Sequence, residues 1–136
     1  MATVYGPGTY YIKLNDSGKP SLFGPDRTTP IDDPQFETSG NASFFFQIFD
    51  TGLMAFNPER PVTWKELESK PLGNSYHIVK GMGILILNVT PPLMAPVSTT
   101  YHFTLHLDVG DVHEVLWTAD GSLPLDPTVI ENPPNG

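Results

Sequence analysis

Four stretches of this chain share one layout, and that layout restricts what the chain can fold into. Each opens with Ser or Thr followed by an aromatic residue, runs through strand-forming side chains and reaches a glycine. The first is Thr9-Tyr10-Tyr11-Ile12, with its turn at Asn15-Asp16-Ser17-Gly18; the second is Ser43-Phe44-Phe45-Phe46, with Asp50-Thr51-Gly52. The third is Ser75-Tyr76-His77-Ile78, with Gly81-Met82-Gly83; the fourth is Thr100-Tyr101-His102-Phe103, with Val109-Gly110-Asp111. Glycine supplies the positive φ that a tight reversal needs, so each stretch reads as a β-hairpin. Four hairpins predict about eight strands. Their uneven spacing marks a recurring unit rather than a sequence repeat.

The fourth unit carries the clearest strand pattern. Tyr101, Phe103, Leu105 and Leu107 fall on one face; Thr100, His102, Thr104, His106 and Asp108 fall on the other. One core face and one wet face is the signature of an antiparallel sheet. Ile84 to Val89 is apolar on both faces, which predicts a central strand covered on both sides. The expected fold is all-β: an antiparallel sandwich or barrel in one domain spanning residues 1–136.

Between these units the sequence changes character. Residues 24–42 hold Pro25, Pro30, Pro34 and three aspartates, and look poor in strand. Thr63-Trp64-Lys65-Glu66 fits a capping box, with Thr63 as N-cap and Glu66 at N3, and predicts one short helix stopped by Pro71. The stretch from Pro124 to Gly136 is expected to pack loosely.

Composition excludes several classes of function. At 136 residues without cysteine, the chain holds neither disulfides nor thiolate metal sites. Seven basic against fifteen acidic residues give a net charge of −8, which repels phosphate backbones and anionic membranes. Its longest apolar run, Ile84 to Leu87, is far too short to span a bilayer. No signal-peptide pattern opens the chain, so a cytoplasmic or already processed protein is expected. Fifteen prolines and twelve glycines alternate with dense Tyr, Phe, Ile, Leu and Val clusters, which disordered chains lack.

Two constellations raise the question of chemistry. Phe49-Asp50-Thr51-Gly52 follows an apolar strand and resembles the active-site signature of aspartic proteases, whose mechanism needs two carboxylates sharing a proton. Leu53 stands where that family has a small residue, and its later apolar-apolar-glycine motif is missing; the four residues read better as a hairpin turn. The second constellation is histidine. His102 and His106 share a strand face but lie about 13 Å apart at ~3.3 Å per residue, too far for one metal ion. His106, Asp108 and His113 would approach a two-histidine, one-carboxylate site if the turn were Val109-Gly110. A three-residue loop instead pairs Phe103 with Trp117, Leu105 with Val115 and His106 with Glu114, and buries more apolar surface. The expectation is no metal site, no cofactor and no enzyme. Glu66 and Glu68 read as solvated charges.

What remains is binding. The loop Phe23 to Pro30 holds Arg27, one of only two arginines, between two prolines, and rigid loops lose little entropy on docking. Asp26, Arg27, Thr28 and Thr29 are therefore the expected binding residues, with Arg27 as a substrate mimic for a trypsin-like protease. Gly8-Thr9-Tyr10-Tyr11-Ile12 resembles the opening of fungal β-trefoil proteins, and Phe44 to Phe56 is similar to that fold's repeat junction. The resemblance implies a lectin or protease inhibitor and makes a β-trefoil the alternative fold. A glycan partner needs aromatic platforms, for which Tyr5, Tyr10, Tyr11, Trp64 and Trp117 are the candidates. A structural or assembly protein, burying strand edges in an oligomer, is the third class.

Overall fold

The computed structural model describes residues 3–49, 52–65, 75–79, 81–90 and 99–132. Twelve strands lie among them: β1 (Thr3–Tyr5), β2 (Thr9–Leu14), β3 (Pro20–Phe23), β4 (Pro34–Thr38), β5 (Ala42–Ile48) and β6 (Met54–Phe56). The rest are β7 (Val62–Trp64), β8 (Ser75–Val79), β9 (Ile84–Val89), β10 (Thr99–Val109), β11 (Val112–Val115) and β12 (Thr128–Glu131). They form two mixed sheets. One has the order β3-β2-β5-β9-β8; the other runs β1-β4-β12-β10-β11, with β6 and β7 also paired to β10. A single apolar cluster draws on both, as in a sandwich.

Three of the four expected hairpins form: β2–β3, β8–β9 and β10–β11 are antiparallel neighbours. The second does not. Its two arms belong to different sheets, β5 pairing with β2 and β9 while β6 pairs with β10. The chain crosses between layers there. The expected antiparallel order is likewise only partial, because β1–β4, β4–β12 and β2–β5 are parallel. Parallel neighbours need a crossover rather than a tight turn, and each of these pairs is separated by a segment that visits the opposite sheet. Among the described residues the strands do not close into a barrel, so the barrel and the trefoil built upon one are not the arrangement seen there.

Other expectations are corrected by tertiary contacts. No helix occurs among the described residues. Thr63, the expected N-cap, lies in β7 opposite Thr104, because Val62 and Trp64 complete the buried face beside β10; Glu66 to Pro71 lie outside the described residues, as does Glu68. Segment 24–42 contains β4, which starts at a proline, as strands tolerate. The C-terminal stretch supplies β12, held between β4 and β10 with Val129 fully buried. Beta9 is covered on one face only: Leu85, Leu87 and Val89 are buried, while Ile84 and Ile86 stay half-buried. The alternation along β10 is as expected, with Phe103, Leu105 and Leu107 in the core.

Tyr10 shows how the layers meet. Its ring packs edge-on against Phe36 of the opposite sheet at 5.1 Å, and its hydroxyl donates to the Gly6 carbonyl at 2.5 Å. Burial, helped by Tyr5, pushes its phenol up to about 12. The folded state thus holds this proton more tightly than the unfolded chain, whose tyrosines titrate near 10. Tyr10 therefore adds stability below pH 10 that is lost as the pH rises through about 12. Urea midpoints between pH 8 and 12 should fall in the wild type, and fall less steeply in Tyr10→Phe.

Candidate functional site

The loop after β3 closes on itself. The Gly24 amide donates to the Thr29 carbonyl, and the Arg27 amide donates to the Gly24 carbonyl, both at 2.9 Å. Asp26 locks the interior: its Oδ1 accepts from the Thr28 and Thr29 amides at 3.0 and 2.8 Å, and its Oδ2 from the Thr29 hydroxyl. The Thr29 side-chain and backbone bonds, then that of Thr28, hold the Asp26 carboxyl down at about 2. Asp26, Thr28 and Thr29 are thus engaged with one another and fix the loop. Short polar side chains that bond their own backbone two residues on do this in many turns.

Arg27 is the residue this lock aims. Its φ is 71°, the only positive value at a non-glycine among the described residues. For an L-residue the left-handed region costs about 1–2 kcal/mol, so the surrounding bonds hold it there against its own preference. The loop is compact, because the 24–29 closure outweighs the extended bias that each proline places on the residue before it. The guanidinium lies 5.0 Å from the Tyr11 ring centre and 5.6 Å from that of Phe49.

A second cation enters from β2. Tyr11 and Lys13 sit two residues apart and share the outer face of the sheet, with Phe23 directly opposite Tyr11. Lys13 Nζ lies 4.3 Å from the Phe23 ring centre and 5.5 Å from that of Phe49. Phe49 stacks on Tyr11 at 5.2 Å and is 37% exposed. It is placed by its amide, which donates to the Ile12 carbonyl and extends the β5–β2 ladder by one residue. Three rings and two cations thus form one patch. The two ion pairs seen among the described residues, Lys19–Glu114 and Lys65–Asp126, involve neither Lys13 nor Arg27. In a chain of net charge −8, Lys13 and Arg27 stand together over aromatic faces, which attract cations by their quadrupole, while the Asp26 carboxylate is turned into its own loop.

The sequence pointed to the loop but not to Lys13, Tyr11, Phe23 and Phe49 as its floor. The period-two pattern at Tyr11 and Lys13 was the available signal; Phe49 arrives only through a parallel pairing. The other proposed platforms are occupied: Tyr10 and Trp64 are buried, Tyr5 packs on Tyr10 and Phe36, and Trp117 is bonded to Glu114 with Lys19 across its ring. Asp50 and Thr51 lie outside the described residues.

The histidines meet in a register that neither expected turn gives. Val109 faces Val112 across a two-residue turn at Gly110-Asp111, with Gly110 at φ 62° in the first central position, where a II′ turn takes glycine. Leu116, fully buried, is the inward residue this register secures. His106 faces Val115 and His113 faces Asp108, so all three polar residues share the outer face. His106 Nδ1 and His113 Nε2 are 2.9 Å apart, and His106 Nε2 is 2.7 Å from Thr63 Oγ1. Asp108 accepts from Asn57 Nδ2 at 3.1 Å. Burial, then His113 and Arg60, holds the His106 imidazole below its usual proton affinity. His102 shares that face four residues back along β10, opposite Thr128.

No family model matches the chain, and no curated protein is significantly similar to it in sequence. Among the described residues no helix is long and apolar enough to cross a membrane.

Proposed function

We propose that this protein is a non-enzymatic binding module that captures an acidic protein segment on the Lys13–Arg27 patch. The observation that carries the reading is Arg27, held at positive φ by the Asp26 lock with its guanidinium laid on Tyr11 and Phe49. Strain kept at a surface residue is a reason to look for function there. A guanidinium already fixed on an aromatic floor loses little entropy on meeting a carboxylate, and its fork geometry suits one. The trypsin-inhibitor form of this reading draws less support, since an uncleaved substrate mimic offers its arginine from an extended backbone.

An acidic glycan is the second reading, favoured by the exposed Phe49 ring beside the two cations. The test is an amide-resonance titration with a glutamate-rich decapeptide and, separately, with a monomeric uronic acid. Shifts confined to residues 11–13, 23–29 and 49 that weaken with salt are expected for the peptide. Shifts there with the sugar alone would transfer the reading to carbohydrate. No shift at millimolar ligand, or shifts elsewhere, would end it. Arg27→Gly separates binding from folding: relief of about 1–2 kcal/mol of backbone strain offsets the lost cation–aromatic contact of about 0.5–1 kcal/mol, so stability should hardly change while binding is lost.

A further inference from the structure

We propose that His106 and His113 form a two-imidazole chelate for a tetragonal divalent ion, Cu2+ ahead of Ni2+. The site is separate from the Arg27 patch and does not rest on the binding function given above. Its geometry comes from the β10–β11 register. His106 and His113 are diagonal neighbours on one face of an antiparallel pair, a spacing that ring side chains can bridge. The rings stand 5.0 Å apart between centres with 31° between their planes, and the two facing nitrogens are 2.9 Å apart.

Two imidazole nitrogens bound at about 2.0–2.1 Å to one ion stand roughly 2.9 Å apart for a right angle at the metal, and roughly 3.3–3.4 Å apart for a tetrahedral one. The observed 2.9 Å is that of a hydrogen bond between the two rings; with that bond opened, the two nitrogens stand close enough to take adjacent positions of a square plane, which Cu2+ and Ni2+ favour. Copper also stands highest among the divalent ions for nitrogen donors.

The surroundings hold the donor ready. Thr63 Oγ1, itself fixed in β7, lies 2.7 Å from His106 Nε2; in the tautomer that donates its Nε2 proton there, the Nδ1 lone pair faces His113. Metal ligands are commonly oriented in this way through their other ring nitrogen. With His106 in that tautomer, the His113 Nε2 proton donates to that lone pair in the metal-free pair. On binding, this hydrogen bond breaks, and two nitrogen–metal bonds replace two of the ion's bonds to water. The His113 proton moves through solvent to its own exposed Nδ1, so no net proton is lost. Among the described residues no third His, Cys, Asp or Glu completes a ligand set; water takes the remaining positions, and Asp108 across the ladder adds negative charge to the face.

The test is titration of the full chain with CuCl2, followed by electron paramagnetic resonance of the bound ion. One Cu2+ per chain with hyperfine coupling to two imidazole nitrogens is expected. His113 is exposed, so His113→Gln should fold normally, show one coupled nitrogen and bind roughly tenfold or more weakly. His77→Gln, on the far sheet, should change nothing. Absence of Cu2+ binding by the wild type would overturn the proposal. So would two coupled nitrogens and unchanged affinity in His113→Gln, since the copper would then lie elsewhere, such as at the terminal amine.

Discussion

Replacing Phe36 by Ala is expected to destabilise the protein by about 3–5 kcal/mol, the usual cost of emptying a fully buried phenylalanine site. Phe36 belongs to β4, yet its ring contacts Tyr10, Phe44 and Phe46 of the opposite sheet at 5.1, 5.2 and 5.7 Å between centres. It also touches Tyr5 and Phe103 of its own sheet, each at 6.2 Å. Removing it takes a partner from five rings at once, at the point where the two layers are joined. Rings that are themselves anchored to strands can close little of that space. A domain of this size commonly has only about 5–15 kcal/mol in total, so the variant should be partly unfolded at moderate temperature. Urea unfolding monitored by near-ultraviolet circular dichroism checks it; a loss below about 1 kcal/mol would mean that the site collapses freely.

Gly121→Ala is the second large effect, about 2–4 kcal/mol, from strain and overpacking together. Gly121 has φ 76°, a conformation that costs any L-side chain. An added Cβ would also lie 2.6 Å from Ser17 Oγ and 2.8 Å from Ser17 Cβ. Ser17 cannot simply swing aside, because its Cβ is fixed to the β2–β3 turn. That turn is held by Asn15, whose Oδ1 accepts from the Ser17 and Lys19 amides. Asn15 Nδ2 in turn donates to Ser21 Oγ and the Thr118 carbonyl. Pushing the two turns apart would strip Thr118 from Asn15 and from the hydroxyl of fully buried Ser21, leaving polar groups unsatisfied. Ser17→Gly in the Gly121→Ala background should restore the steric part but not the backbone strain. Partial recovery of the urea midpoint is therefore expected, and complete recovery would show that φ contributes nothing.

Both sites lie where local pattern says little. Phe36 stands in a proline-rich segment that reads as a linker, and Gly121 in a loop whose neighbour is a hundred residues away in sequence. The same holds for the binding patch. Arg27 and its loop were legible, because two prolines and an isolated arginine stand out in an acidic chain. The rings beneath them were not, because Phe49 reaches Tyr11 through a parallel pairing that no turn announces. The histidine pair is half legible: the alternation of β10 puts His106 and Asp108 on one face, but nothing local fixes the turn at Gly110-Asp111 rather than at Val109-Gly110 or in a three-residue loop.

By itself the sequence determined the all-β class, the inward face of β10 and three hairpins closed at glycine turns. These are properties of neighbours along the chain: period-two burial and the positive φ that glycine permits. Tertiary structure alone decided that β5 and β6 part into different sheets, that Thr63 pairs in β7 instead of capping a helix, and that the C-terminal stretch fills a gap between β4 and β10. In each case apolar burial across the sandwich outweighed a local preference worth only about 1 kcal/mol.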